Sequence, residues 1–211
     1  MPGRSRAGGF DAVEYRLDEW KGRLCSTCEL FNGPDTAFVP FELCLPIDLL
    51  QLADFELALS FFSDIGEDAA QAFRSMAVFD SVIANTDRHV GNFGVLRDNA
   101  TGEMTGIAPI FDNNVSLFAR DLDDSLRLGD MLARLEQAPG MLDAALGRQG
   151  AFSLGQKQRE QVERLVDFEF DGSGFIGEYR AAHPDANDAI SEKRLNALGA
   201  FVRERARQLL A

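Results

Sequence analysis

Residues Phe79 to Leu117 read FDSVIANTDRHVGNFGVLRDNATGEMTGIAPIFDNNVSL, and their pattern decides how the rest of the chain is placed. An apolar helical run ends at Ala84, and the polar loop Asn85-Thr86-Asp87-Arg88-His89-Val90-Gly91-Asn92 follows. Two β-type segments, Phe93 to Leu96 and Gly106 to Ile110, then flank the turn Asp98-Asn99-Ala100-Thr101-Gly102. The predicted order is helix, loop, hairpin. If the hairpin pairs about its turn, the segment leaving Asn92 and the segment arriving at Asp112 run antiparallel, so these two residues lie together at its open end. Asp87 sits in the loop beside them.

Three oxygen-bearing side chains therefore converge. Hard oxygen donors suit magnesium, which commonly takes one or two carboxylates and completes its shell with water and substrate phosphates. With Asn92 and Asp112 as its ligands, Asp87 is free to orient a hydroxyl and accept its proton, the other requirement of phosphoryl transfer. In protein kinases the catalytic loop supplies an Asp and, five residues later, an Asn, and a second Asp follows a short hairpin in the DFG segment. Asp87 and Asn92 keep that spacing, whereas Phe111-Asp112-Asn113 matches DFG by role and position and not by order.

Asn85-Thr86-Asp87-Arg88-His89-Val90-Gly91-Asn92-Phe93-Gly94, joined to Ala108-Pro109-Ile110-Phe111-Asp112, resembles the HipA-like serine/threonine kinases of bacteria, whose catalytic core is distantly related to that of phosphatidylinositol kinases. The resemblance implies Asp87 as catalytic base, Asn92 and Asp112 as magnesium ligands, His89 as the residue that braces the loop, and Asn85, Asn92 and Asp112 as contacts of the cofactors ATP and Mg2+. Asn114 stands where that family commonly carries a small residue. The implied fold is α+β, mainly α-helical: a protein-kinase-like C-lobe with a β-hairpin at the active site and little or no N-lobe. Residues 1–11 are expected to be a disordered start, residues 12–45 a remnant of the N-lobe or inter-lobe segment, and residues 46–211 the C-lobe.

Composition narrows the alternatives. The 211 residues include 45% hydrophobic side chains, enough for one substantial core. No apolar run approaches the length of a membrane span and no signal-like region follows Met1, so a cytoplasmic location and no membrane partner are expected. The net charge of −13 argues against direct nucleic-acid binding. Cys25, Cys28 and Cys44 could supply three zinc ligands but lack a fourth, since His89 belongs to the loop and His183 is distant; reduced cysteines lining a strand are the simpler reading.

Along the chain, Val13 to Leu17 and Arg23 to Phe31 form a ribbon across Asp18 to Gly22, and Pro34, Pro40 and Pro46 punctuate a loop-rich passage. Ile47 to Phe62 reads as one or two helices broken near Asp54, with Leu49, Leu52 and Leu59 on the buried face. Ser63 to Gly66 breaks that run. Glu67 to Ala84 is a central helix that delivers the loop. The acidic run Arg120 to Asp124 reads as a solvated loop in preference to a third carboxylate cluster. Further helices are expected over Leu126 to Gln137, Met141 to Gly147, Gly155 to Phe168 with Ser153 and Gln156 as a capping pair, and Ser191 to Leu210, after a turn at Asp171 to Gly174. In the last helix Leu195, Leu198, Val202 and Leu209 face the core and arginines face away.

A kinase also needs a glycine-rich cover over the phosphates and a strand lysine, and Lys21, Lys157 and Lys193, the only lysines, follow no such element. The expected function is an ATP- and magnesium-dependent protein kinase, incomplete alone, acting on a protein substrate beside a partner that bears the N-lobe or resembles an antitoxin, as in toxin–antitoxin systems. The alternative is a non-catalytic interaction or regulatory module that keeps the fold. A lipid kinase would share the chemistry but would need a basic amphipathic surface, which the sequence does not offer.

Overall fold

The computed structural model describes residues 7–122, 125–170, 175–182, 184 and 191–211. A short antiparallel ribbon opens the chain. Strands β1 (Tyr15–Trp20) and β2 (Arg23–Cys28) form a two-stranded sheet, closed by Lys21 and Gly22. Both turn residues have positive φ, 53° and 72°, as a two-residue hairpin turn matching the strand twist requires. Strands β3 (Thr36–Pro40), β4 (Gly94–Asp98) and β5 (Met104–Ile107) form a separate sheet in that order. The proline-punctuated passage thus contains a strand: Pro40 ends it, where its missing N–H costs nothing, and the Pro40–Gly94 pair closes the ladder.

The helices begin with one turn, α1 (Ile47–Leu50), followed by α2 (Phe55–Ile65) and α3 (Glu67–Ile83). Asp54, anticipated as a break, is a cap whose Oδ1 accepts Leu57 N–H at 2.8 Å. Leu59 is buried as expected, but Leu49 and Leu52 are exposed, because α1 is a surface turn with no buried residue. The helix continues through Ser63 to Ile65 and stops at Gly66, whose φ is 152°. Helix α3 starts there with Glu67 and Asp68 in its first turn, where the helix dipole favours them.

Helix α3 is the axis of the molecule. On one side Phe62 stacks on Phe73 at 4.9 Å between centroids, and Phe41, between Phe62 and Phe93, extends the cluster to the root of β4. On the other side lie α5 (Leu146–Phe152), α6 (Gln156–Glu163) and α8 (Glu192–Leu210), with α4 (Leu128–Gln137) against α5 and α8. Roughly half of the chain is helical, which makes the fold mixed, with two small sheets. Buried polar groups on α3 find partners: Ser75 Oγ reaches Gln161 Oε1 at 2.9 Å, and Gln149 Nε2 reaches the Ala77 carbonyl at 3.2 Å.

Several boundaries differ from the sequence reading, each for a local reason. Met141–Asp143 is a 3₁₀ turn, and the helix starts later because Gly140 N–H pairs with the Ala144 carbonyl. The capping interaction of α6 is Gln158 Oε1 on Gly155 N–H, at 3.2 Å, while Ser153 Oγ is buried without a partner. Leu198, Val202 and Leu209 face inward and Leu195 is partly buried, but Arg205 also faces in. It donates to Ser81 Oγ at 2.8 Å and the Gly147 carbonyl at 2.6 Å, and burial pulls its pKa below the usual guanidinium range. The chain joins the core before residue 12: Phe10 is buried, and Ala12 bridges to Ile110. The predicted turn at 171–174 lies outside the described residues, and α7 (Phe175–Ala182) follows it.

Gly94 shows why the loop's motif ends in glycine. A Cβ there would sit 2.1 Å from the Val39 carbonyl oxygen and 2.8 Å from Pro40 Cα, so β3 could not close on β4. Gly94→Ala is expected to destabilise the fold by about 1–3 kcal/mol in urea unfolding. Gly33→Ala, with nothing within 4 Å and no positive φ, should stay within about 0.5 kcal/mol of wild type.

Candidate active site

The loop after α3 is organised from below by an ion pair. Asp80 lies one turn before the helix end, and Arg88 lies eight residues on; both side chains are fully buried. Ala84 turns the chain with left-handed φ and ψ of 51° and 48°, and Ala84 and Asn85 both donate N–H to the Asp80 carbonyl. The Arg88 guanidinium is thereby swung back beneath the helix end. It grips Asp80 bidentately, Nε to Oδ2 and Nη2 to Oδ1, each at 2.9 Å.

The remaining guanidinium donors reach the two halves of the site. One nitrogen, Nη1, donates to the Asn92 carbonyl at 2.9 Å and to the Phe111 carbonyl at 2.5 Å. Nη2 also donates to Asn113 Oδ1 at 2.7 Å. All five N–H groups of an arginine are thus used. Two backbones far apart in sequence share one cation, and this brings Asn92 beside Asp112.

The predicted hairpin positions them from above. Strands β4 and β5 pair with Val95 opposite Ile107, with an irregularity at Leu96 and Arg97. At the turn, Asp98 Oδ1 accepts N–H from Ala100 and Thr101, both at 2.8 Å. The Thr101 bond, then the Ala100 bond, holds the Asp98 carboxyl below its usual range. At the open end Phe111 packs its ring on Phe31 and Phe38, 5.2 and 5.3 Å between centroids.

The expected site residues separate into two groups. Asn85, expected to touch the nucleotide, is fully buried and committed: Nδ2 donates to Asp80 Oδ1 at 2.9 Å and Oδ1 accepts Asp87 N–H at 3.2 Å. It shapes the loop and has no surface for a ligand. His89 is exposed, and its Nδ1 accepts Gly91 N–H at 3.1 Å, so it braces its own turn while Arg88 braces the loop as a whole. Asn92 is nearly buried; its Nδ2 donates to the Asp87 carbonyl at 3.2 Å, which fixes the amide and leaves Oδ1 with no hydrogen bond among the described residues. The Asp87 carboxylate is exposed and the Asp112 carboxylate partly exposed, and neither has a partner among the described residues. Asp112 itself has φ 53°, and its N–H donates to Tyr15 Oη at 2.8 Å. Burial pushes the Tyr15 hydroxyl above its ordinary pKa, outweighing that bond, which acts to lower it.

Three side chains with uncommitted oxygens suit a hard cation that brings most of its own shell. Asn92 Oδ1 and the Asp112 carboxylate are donors of the kind magnesium takes and could hold it, since a site of one carboxylate and one amide leaves room for water and phosphate. Among the described residues no three His, Cys, Asp or Glu side chains gather as a denser metal centre. Cys25 and Cys28 sit three apart on β2 and so point to opposite faces; Cys25 Sγ bonds the Asp18 carbonyl, Cys44 Sγ the Pro40 carbonyl, and all three thiols are free. In the acidic run, Asp121 pairs with Arg134, while Asp123 and Asp124 lie outside the described residues. The sequence reading missed Asp80, Arg88, Asn113 and Tyr15. A signal for the first pair existed: a carboxylate inside an apolar helix run needs a cation, and the adjoining loop carries one.

No protein-family model and no curated protein matches the sequence. Among solved structures, the crystal structure of a Helicobacter pylori proinflammatory kinase, CtkA, is similar, with a TM-score of 0.64 over 97% of this chain and 76% of that one, at 18% sequence identity. The chain therefore has a kinase-like fold. No helix among the described residues is long and apolar enough to cross a membrane.

Breaking the buried pair strands a charge. Asp80→Asn should cost about 3–5 kcal/mol of stability in urea unfolding, because it leaves the Arg88 charge buried and unpaired; Arg88→Lys keeps the charge but neither bridges Asp80 bidentately nor reaches the other acceptors at once, and should cost about 1–3 kcal/mol. Cys44, half-buried, has its thiol pushed up to about 11 by burial. At pH 8 roughly one Cys44 thiol in a thousand is ionised, so mass spectrometry after iodoacetamide treatment should find Cys44 labelled after exposed Cys28.

Proposed function

We propose that the chain is a HipA-like phosphotransferase that uses ATP and magnesium to phosphorylate a hydroxyl of a protein substrate. One observation carries this reading: Asp87, Asn92 Oδ1 and Asp112 are the oxygens left uncommitted by a network that otherwise consumes every polar group of Asp80, Arg88 and Asn85. A buried ion pair that fixes the backbones carrying Asn92 and Asp112, beside side chains with uncommitted oxygens, supports a ligand that needs oxygen donors. The kinase-like fold supports the same reading.

In the proposed reaction the acceptor oxygen attacks the γ-phosphorus, the bond to the β–γ bridging oxygen breaks, ADP leaves, and the hydroxyl proton passes to Asp87. Bound magnesium supplies charge neutralisation at the phosphate oxygens. Asn92 and Asp112 hold that position, and Arg88 keeps their backbones at a fixed separation, which is the positioning on which phosphoryl transfer depends.

A specific observation favours the second reading, a non-catalytic module on the same fold. Lys21 lies at the ribbon turn over the Trp20 ring, Lys157 at the start of α6 and Lys193 at the start of α8, and among the described residues none of them pairs with Asp87, Asn92 or Asp112. On this reading the chain transfers no phosphate itself and instead binds a partner protein, such as an N-lobe-bearing or antitoxin-like polypeptide.

Calorimetric titration separates the two. Magnesium-dependent ATP binding is expected in the wild type, with the metal-dependent part lost in Asp112→Ala; an absence of binding in the wild type contradicts an autonomous kinase. Where transfer is measurable, Asp87→Asn should keep the affinity and slow phosphorylation by roughly 10²–10⁴-fold.

A further inference from the structure

Asp112 occupies the left-handed backbone region at φ 53°, which is uncommon for residues other than glycine although aspartate tolerates it better than most. Its neighbours hold it there from two sides. Below, the Phe111 carbonyl is clamped by Arg88 and the Phe111 ring is wedged between Phe31 and Phe38. Above, the Asp112 N–H is taken by the hydroxyl of Tyr15. Arg88 fixes the peptide on one side of Asp112, and Tyr15 fixes the next atom along the chain.

Tyr15 belongs to a different body. It forms the first pair of the β1–β2 ribbon, opposite Cys28, and that ribbon shares no ladder with the three-stranded sheet. A two-stranded ribbon is marginal alone, so its root depends on local ties. The residues just before it run alongside the strand end that leads to Asp112: Ile110 N–H donates to the Asp11 carbonyl at 2.8 Å and Val13 N–H to the Ile110 carbonyl at 2.9 Å. The Tyr15 side chain continues that line to the site itself.

We propose that Tyr15 is a positioning residue: by accepting the Asp112 N–H it holds Asp112 left-handed and aims its carboxylate, so the placement of the β1–β2 ribbon controls the metal-binding end of the site. The hold on Asp112 stands on geometry alone; its consequence for metal rests on the phosphotransfer reading. Tyr15 acts through Asp112 and needs no contact with the nucleotide. Displacing the ribbon would remove the hold on the Asp112 N–H while Arg88 still grips Phe111 and Asn113 on either side of it, and would leave Asn92 and Asp87 in place, because those are secured by Arg88 and by the loop itself.

The test uses Tyr15→Phe, which keeps the ring and removes only the acceptor. In metal-free NMR spectra, Asp112 amide exchange should quicken by roughly fivefold, the size of one lost hydrogen bond, and its backbone shifts should leave the left-handed range. Mn2+ titration followed by water-proton relaxation should show a similar, roughly fivefold weaker affinity. In an Asp112→Ala background the same substitution should add nothing, a result that general loosening of the fold would not give. An Asp112 signal unmoved by Tyr15→Phe overturns the proposal, as does a loss of Mn2+ affinity that persists without Asp112. Failure of Mn2+ to bind the wild type contradicts the metal reading, and the metal-free spectra then decide the role of Tyr15 by themselves.

Discussion

One guanidinium holds the site together. Arg88 is buried beside Asp80 under the end of the central helix, and from there it reaches the carbonyls of Asn92 and Phe111 and the side chain of Asn113. A buried ion pair is poor evidence for stability by itself, since desolvating both charges offsets much of their attraction. Its value here is geometric. A lysine or a hydrophobic pair could fill the same space, but neither could present rigid donors to a helix end, a loop and a strand end together. The loop and the strand that carry the candidate oxygens therefore share one origin, and the distance between them is set by a planar group with no freedom to stretch.

The helical body is the support that makes this possible. Helix α3 is buried along most of its length, with the phenylalanine cluster on one side and the glutamine and arginine contacts of α5, α6 and α8 on the other. Its last turn is consequently fixed. Asp80 inherits that rigidity and passes it to Arg88, whereas Asp87 and His89, which project from the outside of the loop, are exposed. Rigid frame and accessible oxygens are both needed by a reaction that depends on positioning.

Much of this was legible in the sequence because it is local. The apolar run into Ala84, the polar loop and the turn at Asp98 to Gly102 have short-range signatures, and they placed Asn92 and Asp112 at one end of a hairpin. The parts that were not legible depend on pairing at a distance. Strand β3 is short and proline-flanked, and only its partner β4 makes it a strand. Arg205 looks like a surface arginine until Ser81 and Gly147 are found beneath it. Asn85 carries a side chain that could serve a ligand, and only its burial shows that Asp80 and Asp87 have claimed it. Leu49, on a helix too short to reach the core, and Leu52, in the turn after it, have core-like chemistry but are exposed. Tyr15 had no sequence signal at all, since a hydroxyl on a ribbon acquires meaning only from the backbone it meets.

A crystal structure with Mg2+ and a non-hydrolysable ATP analogue would show whether the Arg88 frame presents a metal site. The account predicts a metal bound between Asn92 Oδ1 and the Asp112 carboxylate, with Arg88 still joining the Asn92 and Phe111 carbonyls beneath it and Asp87 open to the acceptor side. A metal and nucleotide seated elsewhere, or an Arg88 released from both carbonyls on binding, would contradict it.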